Sequence, residues 1–228
     1  MIERTLIRMQ KGDFSMQQSP VAMRNEKLGR TVCEALKKHG FDAFWCATKE
    51  DARKKALELI REGSSVSWGG CASVEECGIL DSLRQGSYTL IDRDTAKNPE
   101  ERADLMRRAF FADWYLAGTN ALSEDGQLVN VDGNGNRVAA MAYGPKNVLV
   151  VAGVNKIVKT AEDALVRART VASPINSQRF GLKTPCSITG ACSNCDSPDC
   201  ICNVIVTTRH SKPAGRIKVL LVGEILGF

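Results

Sequence analysis

Hydrophobic residues in the first half of the chain alternate between two spacings, which predicts alternating helices and strands. A helical spacing over residues 21–38 ends just before Gly40, and the apolar run FDAFWCA then predicts a strand. Thr48, with Asp51 three residues later, predicts the start of a second helix, which ends at Gly63. The segments SSVSWGG and YTLID predict two further strands.

Two more helices are predicted around these strands. Ser73 and Glu76 have the spacing of a capping box and predict a helix that ends near Gly86. Asn98 followed by Pro99 predicts the start of a longer helix. The apolar stripe of that helix would consist of Ala103, Met106, Phe110, Trp114 and Ala117.

The second half of the chain has a different pattern. GQLVNV and RVAAMA flank the turn DGNGN and predict an antiparallel hairpin. NVLVVAG predicts a buried strand, residues 160–172 a helix, and NVIVTT and RIKVLLVG two closing strands. Residues 184–203 lack this periodicity and are rich in Cys, Ser, Pro, Asp and Asn, so we expect an irregular loop there rather than a helix.

The order of these elements predicts an α/β fold. Alternating strands and helices are typical of a parallel sheet covered by helices, and the hairpin adds an antiparallel part. We therefore predict one α/β domain over residues 1–228, with a mixed, mostly parallel sheet and flanking helices. The cysteine-rich loop at 184–203 would be a metal-binding insertion before its last strands.

Composition and charge exclude several classes of function. The chain has 228 residues, and its N-terminal stretch lacks the apolar run of a signal peptide or a membrane span, so we expect a cytoplasmic protein. Its net charge of +5 is not concentrated in any Lys/Arg run, which favours a small anionic ligand over nucleic acid. Only two histidines are present, and no G-x-S-x-G motif, so a His-rich metal site or a Ser-His-Asp hydrolase is not expected.

Five of the nine cysteines are concentrated in the segment TPCSITGACSNCDSPDCICN. Their spacing, C-x5-C-x2-C-x4-C-x-C, together with the small and polar residues between them, is typical of a chain that folds around a metal centre. An iron–sulfur cluster, with [4Fe–4S] the favoured type, Zn²⁺ and a metal-free redox thiol site all remain open. Cys186, Cys192, Cys195 and Cys202 are the predicted ligands, and Cys200 is the extra thiol.

A second candidate site follows the strand SSVSWGG. The segment SWGGCASVEE predicts a strand, a glycine turn and a helix start, an arrangement that binds anions at the carboxyl edge of a sheet. Trp68, Gly69 and Gly70 would contact the ligand. Glu76 is a candidate catalytic carboxylate, although a structural role in the capping box with Ser73 is the favoured interpretation.

The turns between residues 118 and 137 supply the other half of this predicted site. Asn120, Asn136 and Arg137 are candidate ligand-binding residues, and Glu124 is a second candidate catalytic carboxylate. A solvated loop would have a similar composition, so both interpretations remain open.

Two segments of the chain resemble the signatures of the LUD-domain family, which is named for lactate utilisation. They are VSWGGCASVEECGILDSL and GTNALSEDGQLVNVDGNGNRVAAMAYGPKNVLVVAGVNKIV, and the resemblance covers about residues 20–225. The cysteine-bearing tail is similar to that of small bacterial members. The resemblance implies a NagB/RpiA/CoA-transferase-like fold and places Gly69-Gly70, Glu76 and Glu124-Asp125-Gly126 at family motif positions, with Ser-Glu-Asp-Gly where the family usually has Ala-Glu-Thr-Gly.

The resemblance also implies a role in the oxidation of lactate, together with partners that carry iron–sulfur clusters. One hypothesis is therefore a redox accessory protein or subunit that binds a small carboxylate, carries an iron–sulfur centre and passes electrons to a partner. The alternative is a transferase- or isomerase-like enzyme for an anionic small molecule, with a structural zinc. A homo-oligomer is compatible with either hypothesis.

Overall fold

The computed structural model of the protein describes residues 19–228. Its helices are α1 Pro20–Lys38, α2 Lys49–Leu59, α3 Ala72–Glu76, α4 Ile79–Gln85, α5 Pro99–Arg108, α6 Asn136–Tyr143, α7 Ala161–Arg167, α8 Ser173–Arg179 and α9 Pro185–Thr189. Its strands are β1 Asp42–Cys46, β2 Ser65–Trp68, β3 Thr89–Ile91, β4 Trp114–Gly118, β5 Ala121–Ser123, β6 Leu128–Asp132, β7 Asn147–Gly153, β8 Ile157–Val158, β9 Val204–Thr208 and β10 Ile217–Val222.

Six strands form a parallel sheet in the order β1-β10-β7-β4-β2-β3. Helices cover both faces, because one hydrophobic core joins the sheet to α2, α3 and α4 and a second joins it to α1 and α6. The central strands β4 and β7 are buried almost throughout, as expected for strands covered on both faces. The predicted α/β fold with a mostly parallel sheet and flanking helices is confirmed.

The other four strands form a separate mixed sheet in the order β8-β5-β6-β9. In this sheet β6 pairs antiparallel with both β5 and β9, and β5 pairs parallel with β8. The predicted hairpin between GQLVNV and RVAAMA is therefore wrong. The partner of β6 on that side is β9, which lies about 75 residues further along the chain.

The segment RVAAMA is helical instead and forms most of α6. Alanine has the highest helix propensity of all residues, and Gly135 begins the helix with a positive φ of 79°. The guanidinium of Arg216 donates to the carbonyl oxygens of Ala140 and Met141 near the end of the helix. These contacts satisfy carbonyl groups that the helix cannot pair itself, and the sequence alone did not reveal them.

The predicted helix starts at Thr48 and Asn98 are confirmed, since both side chains accept hydrogen bonds from backbone N–H groups of the first turn. The capping box of Ser73 with Glu76 is wrong. Cys71 holds the N-cap position of α3, so Ser73 lies inside the helix and is fully buried.

Two other expectations about helices need correction. The helix α5 ends at Arg108, so Trp114 and Ala117 are not part of its stripe and belong to the buried strand β4. The cysteine-rich segment contains a short helix, α9, which begins at Pro185 and ends at Gly190 with a positive φ of 73°. No helix within residues 19–228 is long and apolar enough to cross a membrane.

The acidic turn between β5 and β6 packs directly on α1. Gly126 has a φ of +89°, and a Cβ at this position would lie 2.7 Å from the backbone nitrogen of Leu36. A side chain here would therefore meet both an unfavourable backbone conformation and the helix backbone.

We expect Gly126→Ala to lower the free energy of unfolding by about 1–3 kcal/mol more than Gly63→Ala does. Gly63 is a matched control, because its φ is +82° but no atom lies within 4 Å of its added Cβ. Urea denaturation of the two variants measures the difference. Equal losses of stability would show that the contact between the turn and α1 does not limit this position.

Candidate functional site

A cavity of about 690 Å³ lies at the carboxyl edge of the parallel sheet. Four strands of this sheet end at it, since the residues that follow β2, β3, β4 and β7 all contribute to its walls. Ligands of open α/β folds bind at this edge, and the volume is typical of a small-molecule site. We call it the anion pocket because of its charges.

Five cationic and two acidic side chains line the anion pocket. These are Arg93, Arg102, Arg137, Lys156 and Arg179, with Asp132 and Asp199. Arg102 pairs with Asp94 at 2.8 Å, and Arg137 lies 3.5 Å from Asp132. Among residues 19–228, the other three cations have no carboxylate within ion-pairing distance, so the pocket has excess positive charge.

Arg137 is fixed by a dense set of hydrogen bonds. Its guanidinium donates to the side-chain oxygens of Asn120 (3.1 Å) and Asn130 (2.7 Å) and to the carbonyl oxygens of Gly118 (3.2 Å) and Val131 (2.7 Å). Gly118 ends a strand of the parallel sheet, whereas Val131 belongs to the second sheet. Arg137 therefore joins the two sheets and has few donors left for a ligand.

Arg93 and Arg179 are held much less tightly and converge on Gly70. A Cβ at Gly70 would lie 3.1 Å from Nη2 of Arg93 and 3.3 Å from Nη2 of Arg179. Nε of Arg93 is buried without a hydrogen-bond partner among the described residues. With its amide oxygen facing donors, Asn136 accepts a hydrogen bond from Nη1 of Arg93 (3.2 Å). Two guanidinium groups with free donors beside a glycine turn have the chemistry to bind a carboxylate.

All five thiols of the cysteine-rich segment line a second cavity, of about 390 Å³. We call it the thiol cavity. None of the nine cysteines forms a disulfide, and the five of the segment are all partly exposed. The backbone folds back between Cys192 and Cys195, where Asn194 has a positive φ of 52°. Asparagine tolerates this conformation better than most residues, and the turn directs both thiols toward the same space.

Other residues connect the thiol cavity to the rest of the fold. Cys202 is half-buried and packs against the core between the second sheet and α7, and this burial raises the pKa of its thiol. The hydroxyl of Thr184 lies 3.1 Å from Sγ of Cys186. Arg169 lines the cavity and hydrogen-bonds Asn194. The positive charge of Arg169 lowers the pKa of the Cys202 thiol, but by less than burial raises it.

The thiols surround the cavity without meeting at one point. Within residues 19–228, no three His, Cys, Asp or Glu side chains are close enough together to hold one metal ion. Four sulfurs bound to a single Zn²⁺ at about 2.3 Å would lie only about 3.8 Å from one another. Within residues 19–228 the five thiols thus line one cavity but are not gathered as the ligands of a single ion.

The two cavities share a wall. Cys200, Ile201 and Asn203 line both the anion pocket and the thiol cavity. The side chain of Asn203 donates to the carbonyl oxygen of Gly133 (3.1 Å), which fixes the cysteine segment against the turn before α6. A group bound among the thiols would thus be adjacent to a ligand held by the arginines.

The sequence profile of the LUD domain matches residues 30–222. The chain belongs to the LUD domain family. In fold, this LUD domain is similar to a DUF162 family protein from Deinococcus radiodurans, with a TM-score of 0.51, 11% sequence identity and coverage of 87% of this chain and 98% of that one.

A 5-methylthioribose 1-phosphate isomerase from Pyrococcus horikoshii OT3 is less similar. Its TM-score is 0.37 and its identity 15%, over 71% of this chain and 51% of that one. No curated protein sequence matches the chain significantly.

Four of the ligand-binding residues predicted for this LUD domain line the anion pocket: Gly70, Asn120, Asn136 and Arg137. Gly69 lies beside them, because a Cβ there would be 3.0 Å from the side chain of Arg137. Trp68 is 5% exposed, packs in the core between the sheet and α2–α4, and does not line the pocket.

The two predicted catalytic carboxylates lie outside the anion pocket. Glu76 is exposed and accepts a hydrogen bond from the backbone N–H of Gly227 (3.0 Å). Glu124 forms an ion pair with Lys159 at 2.6 Å. It follows β5, whereas the pocket residue Asn120 precedes this strand, so the two lie at opposite ends of β5. The structure does not bring these two carboxylates together with the arginines.

Sequence reasoning did not identify Arg93, Lys156 and Arg179. Arg93 and Lys156 each follow a strand of the parallel sheet, β3 and β7, so the rule that ligands bind at carboxyl ends could have identified both. Arg179 is contributed by α8, which reaches the pocket only through the tertiary fold, and no sequence signal marked it.

The four remaining cysteines have different surroundings. Burial raises the pKa of Cys33 and Cys77 to about 12 and that of Cys46 to about 11. Such thiols are protonated and chemically inert at neutral pH. Cys71 is also buried, but it lines the anion pocket.

We expect Gly70→Val to weaken binding of a small carboxylate by about tenfold or more, because the added side chain would occupy the space between the two guanidinium groups. Isothermal titration calorimetry with L-lactate and pyruvate measures this loss. Gly63→Ala is the control, since Gly63 lies outside the pocket. Unchanged affinity in Gly70→Val would place the carboxylate elsewhere.

Proposed function

We propose that this LUD domain is a redox accessory protein or subunit of a lactate-utilisation type of organic-acid oxidation. In this proposal it binds a small carboxylate in the anion pocket and an iron–sulfur centre in the thiol cavity. The main observation in support of this proposal is that Cys200 lines both cavities, so the two cavities are neighbours.

The charges of the anion pocket support a carboxylate ligand. Arg93 and Arg179 lack carboxylate partners among the described residues, lie next to Gly70 and line the cavity that would hold the anion. A guanidinium binds a carboxylate through paired N–H donors, and each such charge-assisted bond is strong when the site is shielded from water. A cavity of about 690 Å³ accommodates a small organic acid easily.

The arrangement of the thiols supports an iron–sulfur centre, with [4Fe–4S] as the proposed type. Cys186, Cys192, Cys195 and Cys202 would hold it, and Arg169 would balance part of the thiolate charge. Cys200 would remain free on the wall that faces the anion pocket. When bound, such a centre supplies one-electron transfer.

This chemistry requires a partner. Oxidation of a 2-hydroxy acid to a 2-oxo acid releases two electrons and two protons, whereas an iron–sulfur cluster carries one electron at a time. An electron-transfer protein with its own iron–sulfur cluster would accept the electrons in turn. This chain would bind and orient the carboxylate and shield it from water.

The metal content of the anaerobically purified protein tests the centre. We expect a brown protein that contains iron and sulfide and absorbs at about 400 nm, as thiolate-ligated iron does. Cys192→Ser, Cys195→Ser and Cys202→Ser should each lose most of the metal, whereas Cys200→Ser should retain it. Ser193→Ala is the matched control, because Ser193 lines the same cavity without a thiol.

A colourless protein with one zinc ion would instead support the transferase- or isomerase-like alternative, in which zinc only stabilises the loop. Full retention in Cys192→Ser, or loss in Cys200→Ser alone, would contradict the ligand assignment.

The arginines are tested separately. We expect Arg93→Gln and Arg179→Gln each to weaken L-lactate binding about tenfold to a hundredfold, since each removes a charge-assisted contact of about 1.5–3 kcal/mol. Arg107→Gln is the control, because Arg107 is exposed and paired with Asp104 outside the pocket. Equal affinity in the pocket variants and the control would refute the carboxylate site.

A further inference from the structure

Lys156 is a buried amine in the wall of the anion pocket. It follows β7, is 4% exposed and contributes to the lining of the cavity. Its Nζ donates a hydrogen bond to the hydroxyl of Ser73 (3.0 Å), which is itself fully buried. Among residues 19–228, no carboxylate lies within ion-pairing distance of Lys156.

This environment disfavours the charged form of Lys156. Burial is the largest influence and lowers its pKa, and the nearby guanidinium groups of Arg167 and Arg137 lower it further. Cys71 and Glu76 act in the opposite direction but do not reverse the shift. A hydroxyl partner cannot balance a buried ammonium charge, so a neutral amine is the form that the site accommodates best.

Neutral, desolvated lysines close to other cations are nucleophiles toward carbonyl groups. The pocket of Lys156 also contains the free guanidinium groups of Arg93 and Arg179, which suit the carboxylate of the same ligand. A 2-oxo carboxylate carries both groups on adjacent carbon atoms. One small molecule could thus satisfy the arginines and present a carbonyl carbon to the pocket wall.

We propose that Lys156 is a catalytic residue that forms a Schiff base with a 2-oxo carboxylate bound in the anion pocket. This inference rests on the carboxylate site of the proposed function. Nζ attacks the carbonyl carbon and a C–N bond forms, after which the carbonyl oxygen leaves as water together with both amine protons. The product is a C=N bond, and no electrons are gained or lost overall.

One neighbouring residue and the charge of the pocket would assist the step. Ser73 orients Nζ through its hydrogen bond, and the excess positive charge of the pocket holds the substrate carboxylate during attack. Once its nitrogen takes up a proton from water, the imine withdraws electrons from the carbon next to it, and hydrogens on that carbon exchange with water that enters the pocket. The methyl group of pyruvate would then incorporate deuterium from heavy water.

Reductive trapping tests the inference on the full chain as purified. The protein is incubated with pyruvate and sodium cyanoborohydride at pH 7, and the modified peptides are identified by mass spectrometry. We expect one reduced pyruvyl adduct at Lys156, and loss of both adduct and deuterium exchange in Lys156→Met. Lys159→Met is the matched control, because Lys159 is exposed, is paired with Glu124 and should not affect trapping.

The outcomes separate the two proposals. If calorimetry shows that pyruvate binds but no adduct forms at Lys156, the Schiff base is refuted and the carboxylate site is not. An adduct spread over surface lysines, with none enriched at Lys156, would overturn it as well. Absence of pyruvate binding would refute the carboxylate site itself. Peptide mapping of the wild-type chain remains decisive even if Lys156→Met fails to fold.

Discussion

The guanidinium of Arg137 is the interaction on which the arrangement of the site depends. It connects α6 to the end of β4 in the parallel sheet and to β6 in the second sheet, and its side chain is only 14% exposed. The fork of N–H donors is rigid, so its acceptors must lie in fixed positions. The arrangement of this part of the anion pocket therefore depends on a cation whose N–H donors are almost all used within the fold.

The pocket contains cations of two kinds as a result. Arg137 and Arg102 have their charge balanced by Asp132 and Asp94 and serve the fold. Arg93, Arg179 and Lys156 have no such balance within the described residues and face the space where a ligand would sit. Unpaired cations in a pocket cost stability unless an anion binds there. An unpaired arginine or lysine in a pocket is therefore a better indication of a functional site than a cation that is paired with a carboxylate.

The parallel sheet was predictable because its strands are continuous apolar runs separated by clear helix starts, such as those at Thr48 and Asn98. The helix after β6 was not predictable, because the turn DGNGN followed by an apolar run is compatible with either a second strand or a helix. The alanine-rich segment RVAAMA is a helix, and Arg216, from a distant loop, donates hydrogen bonds to the carbonyl groups near its end. Local patterns cannot report a partner about 75 residues away.

The sequence by itself determined the fold class, the family and the five-thiol segment, because periodicity, caps and cysteine spacing are local properties. It also placed Gly70 at the wall of the anion pocket, since a glycine turn after a buried strand lies at the carboxyl edge of a parallel sheet. Only the tertiary structure decided that Arg93, Arg179 and Lys156 line the same pocket, that Glu76 and Glu124 do not, and that Cys200 lines both cavities. The reason is physical: a side chain's charge state and accessibility depend on what packs around it, and those neighbours come from distant parts of the chain.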